Sequence, residues 1–453
     1  HDRPPSGSDS AAMMKLFALV ALAGVASSEA YVSSARVARS RVASPVSMKG
    51  AGPKGGMVTV NGRKIVLPIF NDECAYTGIT LTRYMIEFAR ANPDLQELES
   101  IMASVQTACK TISTLVRRSS MTGLVGLESG GGSINIQGEE QKKLDIITND
   151  VLKNALKFSG KMGVLASEEE DEPVSMEDEN LYGAAFTDKE IVIEEGNRFV
   201  AVFDPLDGSS NVDAGIPTGT IFGIFDEGDT TCMIGDDEAK MAECLAATLK
   251  PGNALISSGY CLYSSATHFV FTLGAGVQGF TLDESNGEFV LTHPDITIPP
   301  RGKIYSLNEG NRWYWDDALR DYVTAIQKGE GETGVQYSAR YIGSMVGDVH
   351  RTLLYGGIFA YAADQKNLNG KLRLLYEAAP MSFLMEQAQG KAVTGLHRIM
   401  DIVPTNVHQR VPVIMGSSED VDECMKYYKA EAEKNPELKA RCDARMGQAP
   451  VAA

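Results

Sequence analysis

Cysteine is sparse and unpatterned in this chain: seven residues at irregular spacing offer neither a disulfide framework nor a paired CxxC zinc site. Positive charge is in deficit, with 42 Lys and Arg against 59 Asp and Glu for a formal net charge of -17. Nucleic acid and an anionic membrane would both be repelled by such a surface and are excluded as main partners. Anionic small molecules are not, because divalent cations can bridge carboxylates to a phosphate ester, so the acidity points toward metals. The apolar run Leu16 to Val25 falls short of the roughly 20 residues of a membrane span, and no stable membrane association is expected. No repeat period runs through the chain, which excludes solenoids and arrays. What remains is globular composition, 43% hydrophobic and 22% charged over 453 residues. That length predicts two domains or large sub-domains around a substantial core.

The N-terminus reads as an address. Met13 to Ala30 places Lys15, an apolar run and small residues in the order of a signal peptide with a cut after Ala30. The following YVSSARVARSRVASPVS has Arg36, Arg39 and Arg41, serines and no acid, the composition of a transit peptide. Signal followed by transit sequence, with Tyr31 just after the cut, resembles the bipartite leader of algae with secondary plastids, and predicts the plastid stroma as destination. His1 to Ala12 precede the first methionine, read as upstream sequence and take no part in the fold reading. Residues 1–48 are therefore expected to be an extension, followed by a linker from Lys49 to Gly56.

Beyond the linker, apolar residues recur at helical spacing from Thr82 to Arg118, interrupted at Pro93, which predicts two helices. A Gly/Ser-rich loop precedes a third helix from Gln141 to Phe158. Short apolar runs at Gly163 to Ala166, Arg198 to Phe203, Ile221 to Phe225, Ala254 to Ser258, Val270 to Leu273, Gly279 to Leu282, Phe289 to Leu291 and Val413 to Met415 read as strands. Helices fit Asp316 to Lys328, Met345 to Leu354, Pro380 to Gln389 and Val421 to Lys434. Helices alternating with strands predict an α/β class of layered sheets and helices. The expected division is an N-terminal α/β half, 57–250, a C-terminal half, 251–435, and a flexible tail, 436–453.

The most informative segment is VAVFDPLDGSSN, Val200 to Asn211. An apolar strand runs into Asp204, Pro205 forces a turn, and Asp207 follows. Two carboxylates around such a turn can converge on small hard cations, magnesium or manganese. Free backbone N–H groups in Gly208, Ser209 and Ser210 suit a phosphate, and Gly208 permits close approach. An Asx-type turn capping a helix is the bland alternative for a bare DPxDG. A second cluster, Glu168, Glu169, Glu170 and Asp171, follows the strand Gly163 to Ala166; alone it reads as a solvated loop, but beside Asp204 it supplies further ligands for a two-metal site. In KLRLLYE, alternation puts Lys371 and Arg373 on one face of a strand, where they can hold a phosphate, and Glu377 closes the run.

FDPLDGSSN, ASEEED, YSLNEGN, ARYIGSMVGDVHRTLLYGGIFAY and GKLRLLYE together resemble class I fructose-1,6-bisphosphatase of the plastid type, from about Thr80 to Tyr428 in order. The resemblance implies a layered α-β-α-β-α sugar-phosphatase fold of the inositol monophosphatase-like superfamily. It implies Glu168, Asp204, the Leu206 carbonyl, Asp207 and Glu377 as ligands of two or three magnesium ions, with manganese as a substitute. Asp145 and Glu169 correspond to the carboxylates that activate the attacking water, and Glu139 to an acid on a mobile loop beside Gly130 to Gly132. Gly208, Ser209 and Ser210, with Asp207, match the cradle of the reacting phosphate. Asn308, Tyr341, Tyr361 and Lys371 match contacts to the sugar and its distal phosphate, and Arg373 a basic residue near the metals. Arg340 matches an arginine that reaches the phosphate of a neighbouring subunit, which implies a homotetramer. The reaction implied is transfer of the C1 phosphoryl group to water with no covalent intermediate, in the Calvin cycle and gluconeogenesis.

Departures sharpen the reading. Where animal relatives hold an inhibitory nucleotide, the aligned residues are Leu95, Gln96, Glu97, Arg198, Phe199 and Asp226, too few of the site's groups for strong inhibition by adenosine monophosphate. Between Phe225 and Pro251 an acidic insertion carries Cys232 and Cys244. Plastid relatives have a light-regulated disulfide in a similarly placed loop, which implies a redox pair and a thioredoxin-type reductant. The loop here is shorter, and Leu249 stands where the relatives have a third cysteine. Sedoheptulose-1,7-bisphosphatase, an inositol phosphatase and a non-catalytic regulatory paralogue are the rival readings.

Overall fold

In this computed structural model, residues 57–60, 63–68, 70, 78–122, 124, 143–170, 174–175, 198–227, 245 and 247–446 are described. The leader, Glu139 with Gly130 to Gly132, and the insertion cysteines Cys232 and Cys244 lie outside them. A hairpin of β1 (Met57–Val60) and β2 (Arg63–Val66) comes first. The apolar stripe from Thr82 to Arg118 then folds into two helices, α1 (Leu81–Ala91) and α2 (Leu98–Thr122). Thr80 caps α1 by accepting from the Arg83 N–H at 3.1 Å. Pro93 opens the short 3-10 turn Pro93–Leu95 that separates the two helices. Helix α3 (Lys143–Lys157) follows.

The large sheet contains β3 (Met162–Ser167), β4 (Val174–Ser175), β5 (Phe199–Asp207), β6 (Thr218–Asp226), β7 (Leu255–Tyr263), β8 (Thr267–Thr272), β9 (Val277–Asp283) and β10 (Glu288–His293). Its order is β10-β9-β8-β7-β6-β5-β3-β4, and only β3 and β5 run parallel. From β7 to β10 strand follows strand with no helix between them. The expected alternation of helix and strand fails there, because antiparallel neighbours need only a turn where parallel ones need a crossover. The 250/251 division read from sequence falls between β6 and β7, which are paired along most of their length.

Smaller elements complete the chain: β11 (Ile304–Ser306), α4 (Asp317–Lys328), β12 (Ser338–Ala339), α5 (Met345–Tyr355), β13 (Ile358–Tyr361), β14 (Leu372–Arg373), α6 (Ala379–Gln387), β15 (Lys391–Val393), β16 (Arg410–Val411), β17 (Val413–Gly416) and α7 (Ser418–Ala432). Strands β12-β11-β13-β17-β15, in that order, form a second sheet, and β14 pairs with β16. The last helix, α8 (Pro436–Ala444), corrects the expectation of a flexible tail from 436. Asn435 caps it through Leu438 N–H at 3.1 Å, Leu438 and Cys442 are buried, and Arg441 pairs with Asp316 at 2.6 Å.

Alternation along β5 explains the layering. Phe199, Ala201 and Phe203 face α1, α2 and α3, packing with Phe88, Ile101 and Leu152. Val200 and Val202 face the opposite way, toward Val346, Val349 and Leu353 of α5 and Leu384 of α6. Phe359, Val413 and Met415 of the second sheet close over that same helix layer, and its outer face carries Tyr322, Val323, Val421 and Tyr428 of α4 and α7. The result is the α-β-α-β-α stack expected from the sequence.

Candidate active site

The site begins where β5 stops being regular. Asp204 pairs with Ile221 and Asp207 with Gly219, so the DPLDG segment holds one residue more than its partner and bulges. The Asp204 carboxylate accepts from Leu206 N–H at 3.0 Å. Thr220 donates to the Pro205 carbonyl at 2.8 Å and is itself 2.7 Å from the Tyr263 hydroxyl, which pins the turn from behind. Gly208 takes a left-handed φ of 75° and starts the 3-10 turn Ser209–Ala214, the opening expected of the Gly-Ser-Ser run.

Two other segments come to the same place. Strand β3, parallel to β5, delivers Glu168 and Glu169 at its end. Glu170 turns away to Asn149 at 2.8 Å and to Lys153. The KLRLLYE segment departs from its expected form: the strand ends at Arg373, and Leu374–Ala378 is a π-helical turn carrying Glu377 inward. That turn is joined to the acidic loop through a relay in which Tyr376 Oη lies 2.8 Å from His408 Nδ1, and His408 Nε2 lies 3.0 Å from the Glu170 carbonyl.

A cleft of about 380 Å³ results. Its walls bring together Asp145, Glu168, Glu169, Asp204, Leu206, Asp207, Gly208, Ser209, Ser210, Tyr341, Tyr361, Lys371, Arg373 and Glu377. Asn308 and Arg340 are not among the lining residues. Asn308 caps its own turn through Gly310 N–H at 3.0 Å, and the exposed Arg340 side chain donates to the Ala339 carbonyl at 2.8 Å. The sequence reading missed Ser344, Met345 and Asp348 on the cleft wall, and His408 behind it; Asn211, which closes the VAVFDPLDGSSN segment, also lines the cleft. For Asp348 the available signal was an acid in a helix's first turn, which ordinary helix ends also show.

Oxygens of Asp204, Asp207 and Glu377 lie within 4.8 Å of one another, the one such group of potential metal ligands among the described residues. Burial, together with the charges of Glu168, Asp207 and Glu377, holds the Asp204 carboxyl well above the usual range. Burial pushes Asp207 up to about 7, against the Val346 N–H bond that opposes the rise. Glu377 rises to about 8 through burial, with Arg373 opposing. Arg373 is itself buried and stands 3.5 Å from Glu168. All-oxygen donors held this close, with too little cationic charge beside them, fit small hard divalent cations. Of the residues compared above with the animal nucleotide site, Arg198 is engaged by Asp226 at 2.8 Å and Glu97 at 3.3 Å, and Glu97 also pairs with Lys161 at 3.4 Å.

Comparisons with known proteins converge on one family. The family descriptions "Fructose-1-6-bisphosphatase, N-terminal domain" and "Fructose-1-6-bisphosphatase, C-terminal domain" match residues 79–294 and 298–429. The chain is 49% identical over 361 residues to a chloroplastic fructose-1,6-bisphosphatase of Triticum aestivum, spanning 79% of this chain and 83% of that protein. It is likewise 49% identical to the chloroplastic fructose-1,6-bisphosphatase 1 of Arabidopsis thaliana, over 77% of this chain and 80% of that one. Among solved structures, Leishmania major fructose-1,6-bisphosphatase in holo form superposes with a TM-score of 0.68 at 41% identity, covering 78% of this chain and 99% of that one.

The raised carboxyls predict a link between cation binding and pH. Without a cation, the folded chain keeps protons that the unfolded chain releases above about pH 4, so this cluster costs stability as pH rises toward the folded values of about 7 and about 8. A divalent cation displaces those protons. The rise in Tm on adding saturating divalent cation should be larger at about pH 8.5 than at about pH 6, and binding heats near pH 7 should vary with buffer ionisation enthalpy. Equal Tm increments and buffer-independent heats would refute the link.

Proposed function

The chain belongs to the fructose-1,6-bisphosphatase family, and from that premise we propose how its cleft divides the work of hydrolysing fructose 1,6-bisphosphate to fructose 6-phosphate and phosphate. The activity is that of a phosphoric monoester hydrolase in Calvin-cycle and gluconeogenic carbohydrate metabolism, and the chloroplastic relatives support a plastid location. The family match and the relatives named fructose-1,6-bisphosphatase favour this reading over sedoheptulose-1,7-bisphosphatase and an inositol phosphatase, and magnesium-dependent release of phosphate from fructose 1,6-bisphosphate tests it against a non-catalytic paralogue.

Glu168, Asp204, the Leu206 carbonyl, Asp207 and Glu377 hold two or three magnesium ions, for which manganese can substitute. The observation that carries this is the convergence of Asp204, Asp207 and Glu377 beside the Gly208–Ser210 turn in one cleft. Bound there, the cations supply Lewis-acid polarisation of the phosphoryl oxygens and cancel carboxylate and phosphate charge. The protein groups do the rest. Asp145 and Glu169, on the cleft wall, take the proton of the attacking water. Glu139 is the further acid that the family resemblance assigns to the reaction. The turn from Gly208 to Ser210 aims backbone N–H groups at the C1 phosphate. Tyr341, Tyr361, Lys371 and Asn308 hold the sugar and its distal phosphate, and Arg373 balances charge next to Glu168.

Asp204→Ala or Glu168→Ala should lower kcat by at least ~100-fold while leaving thermal unfolding cooperative, since each removes a charge-stabilising group. Wild-type turnover at saturating magnesium in either variant would disprove the ligand assignment.

Arg340 serves the distal phosphate of a neighbouring subunit in a homotetramer. Its exposure and its absence from the cleft wall of its own chain support that reading. Arg340→Ala is expected to raise KM by roughly tenfold with a smaller effect on kcat, the loss of one charge-assisted contact. An unchanged KM removes it from the substrate site.

Cys232 and Cys244 form a disulfide that lowers activity and is opened by a thioredoxin-type dithiol. Support comes from their position in the acidic insertion that follows β6, the strand paired with the DPLDG segment of β5, and precedes β7. Activity after oxidation and after dithiol reduction, compared in the parent and in Cys232→Ser, tests the switch. It requires a response in the parent that the variant lacks; identical behaviour places regulation elsewhere.

A further inference from the structure

Three segments meet beside the cleft: the end of β11 at Ser306, the loop 340–344, and the first turn of α5. Asp348 stands at their junction and is fully buried. Its carboxylate accepts from Ser306 Oγ at 2.8 Å, from Ile342 N–H at 3.0 and 3.1 Å to its two oxygens, and from Gly343 N–H at 2.9 Å. The Arg351 guanidinium adds a bond at 2.5 Å and also donates to the Arg340 carbonyl. A carboxylate offers about four lone-pair sites, and these donors occupy them. An acid in a helix's first turn, or an acid–arginine pair three residues apart, needs no such arrangement. Two consecutive loop N–H groups bound to one buried side chain fix a backbone conformation.

What that conformation carries is Tyr341, with Gly343 and Ser344 beside it on the cleft wall. Two further bonds tie the loop and the start of α5 to the reacting end. Asn211 Nδ2 donates to the Gly343 carbonyl at 3.0 Å, and Val346 N–H to Asp207 at 3.3 Å. We propose that Asp348, held by Arg351, is a positioning residue for the sugar-phosphate end of the cleft: it sets the 340–344 loop so that Tyr341 meets the substrate without further ordering. This rests on the reading of Tyr341 as a substrate contact. A loop fixed before binding spares the ligand the entropy of ordering it, so its loosening weakens substrate and product binding more than the chemical step.

Asp348→Asn is an apt probe, because either orientation of the amide turns an NH2 toward groups that are themselves donors. Arg351→Gln leaves the Asp348 carboxylate in place and removes the guanidinium that braces it and the Arg340 carbonyl. Tyr341→Phe tests the premise. Steady-state kinetics with fructose 1,6-bisphosphate at saturating magnesium, and calorimetric binding of fructose 6-phosphate, would be measured on all three proteins. We expect Asp348→Asn and Arg351→Gln to raise KM and weaken fructose 6-phosphate binding by roughly tenfold or more, with kcat within about threefold and the magnesium dependence unchanged. If Tyr341→Phe leaves KM and product affinity unaltered, the substrate-contact reading falls and takes the proposal with it. If Tyr341→Phe weakens binding while the folded loop variants do not, or if their loss falls on kcat or on magnesium activation, Asp348 is not the positioning residue. Should Asp348→Asn fail to fold, Arg351→Gln decides by the same criteria.

Discussion

Carboxylates repel one another, and burial strengthens the repulsion by removing the water that would screen it. Asp204, Asp207 and Glu377 are nevertheless buried and held within 4.8 Å of one another. Much of the surrounding structure can be understood as what keeps them there. The bulge at the end of β5 supplies two of them, and a π-helical turn supplies the third. Arg373, buried beside Glu168 and opposing the rise in the Glu377 pKa, offsets part of the charge. The remainder is left to protons or to divalent cations, in keeping with a metal-dependent family.

The supports behind this cluster are mostly hydroxyl-based. Thr220 and Tyr263 brace the Pro205 carbonyl, and Tyr376 with His408 links the π-turn to the acidic loop. Hydrogen bonds of this kind give rigidity at low dielectric without adding further carboxylate charge nearby. Asp348 is the exception, a buried carboxylate, and it is the one supplied with its own arginine and a full set of donors.

Layering explains why these pieces meet. The middle helix layer is shared by both sheets, so α5 presents Val346 N–H to Asp207 of the first sheet and takes Ser306, at the end of a strand in the second, through Asp348. The cleft lies off the carboxyl ends of the parallel pair β3 and β5, where loops from neighbouring parallel strands diverge and leave room for a ligand.

Much of the site was legible in the sequence because its chemistry is local. Turn residues, a strand running into paired carboxylates and the Gly-Ser-Ser run all lie within Val200 to Asn211, and short-range sterics shape such a segment wherever it sits. Helical periodicity likewise located α1, α2 and α3 to within a few residues. Other features depended on partners far along the chain. Asn435, Leu438 and Arg441 order the last helix through a cap, burial and Asp316. His408 joins Tyr376 to Glu170, 238 residues earlier. Asp348 looks like any helix-start acid until Ser306 and the 340–344 loop are packed against it. By itself the sequence determined which groups could bind a hard cation and a phosphate, because that is a property of side chains and their immediate turn. Only the tertiary structure decided which of them share one cleft, because the distance from Asp204 to Glu377 is set by the packing of β5 against a π-helical turn remote in sequence, and no local pattern encodes it.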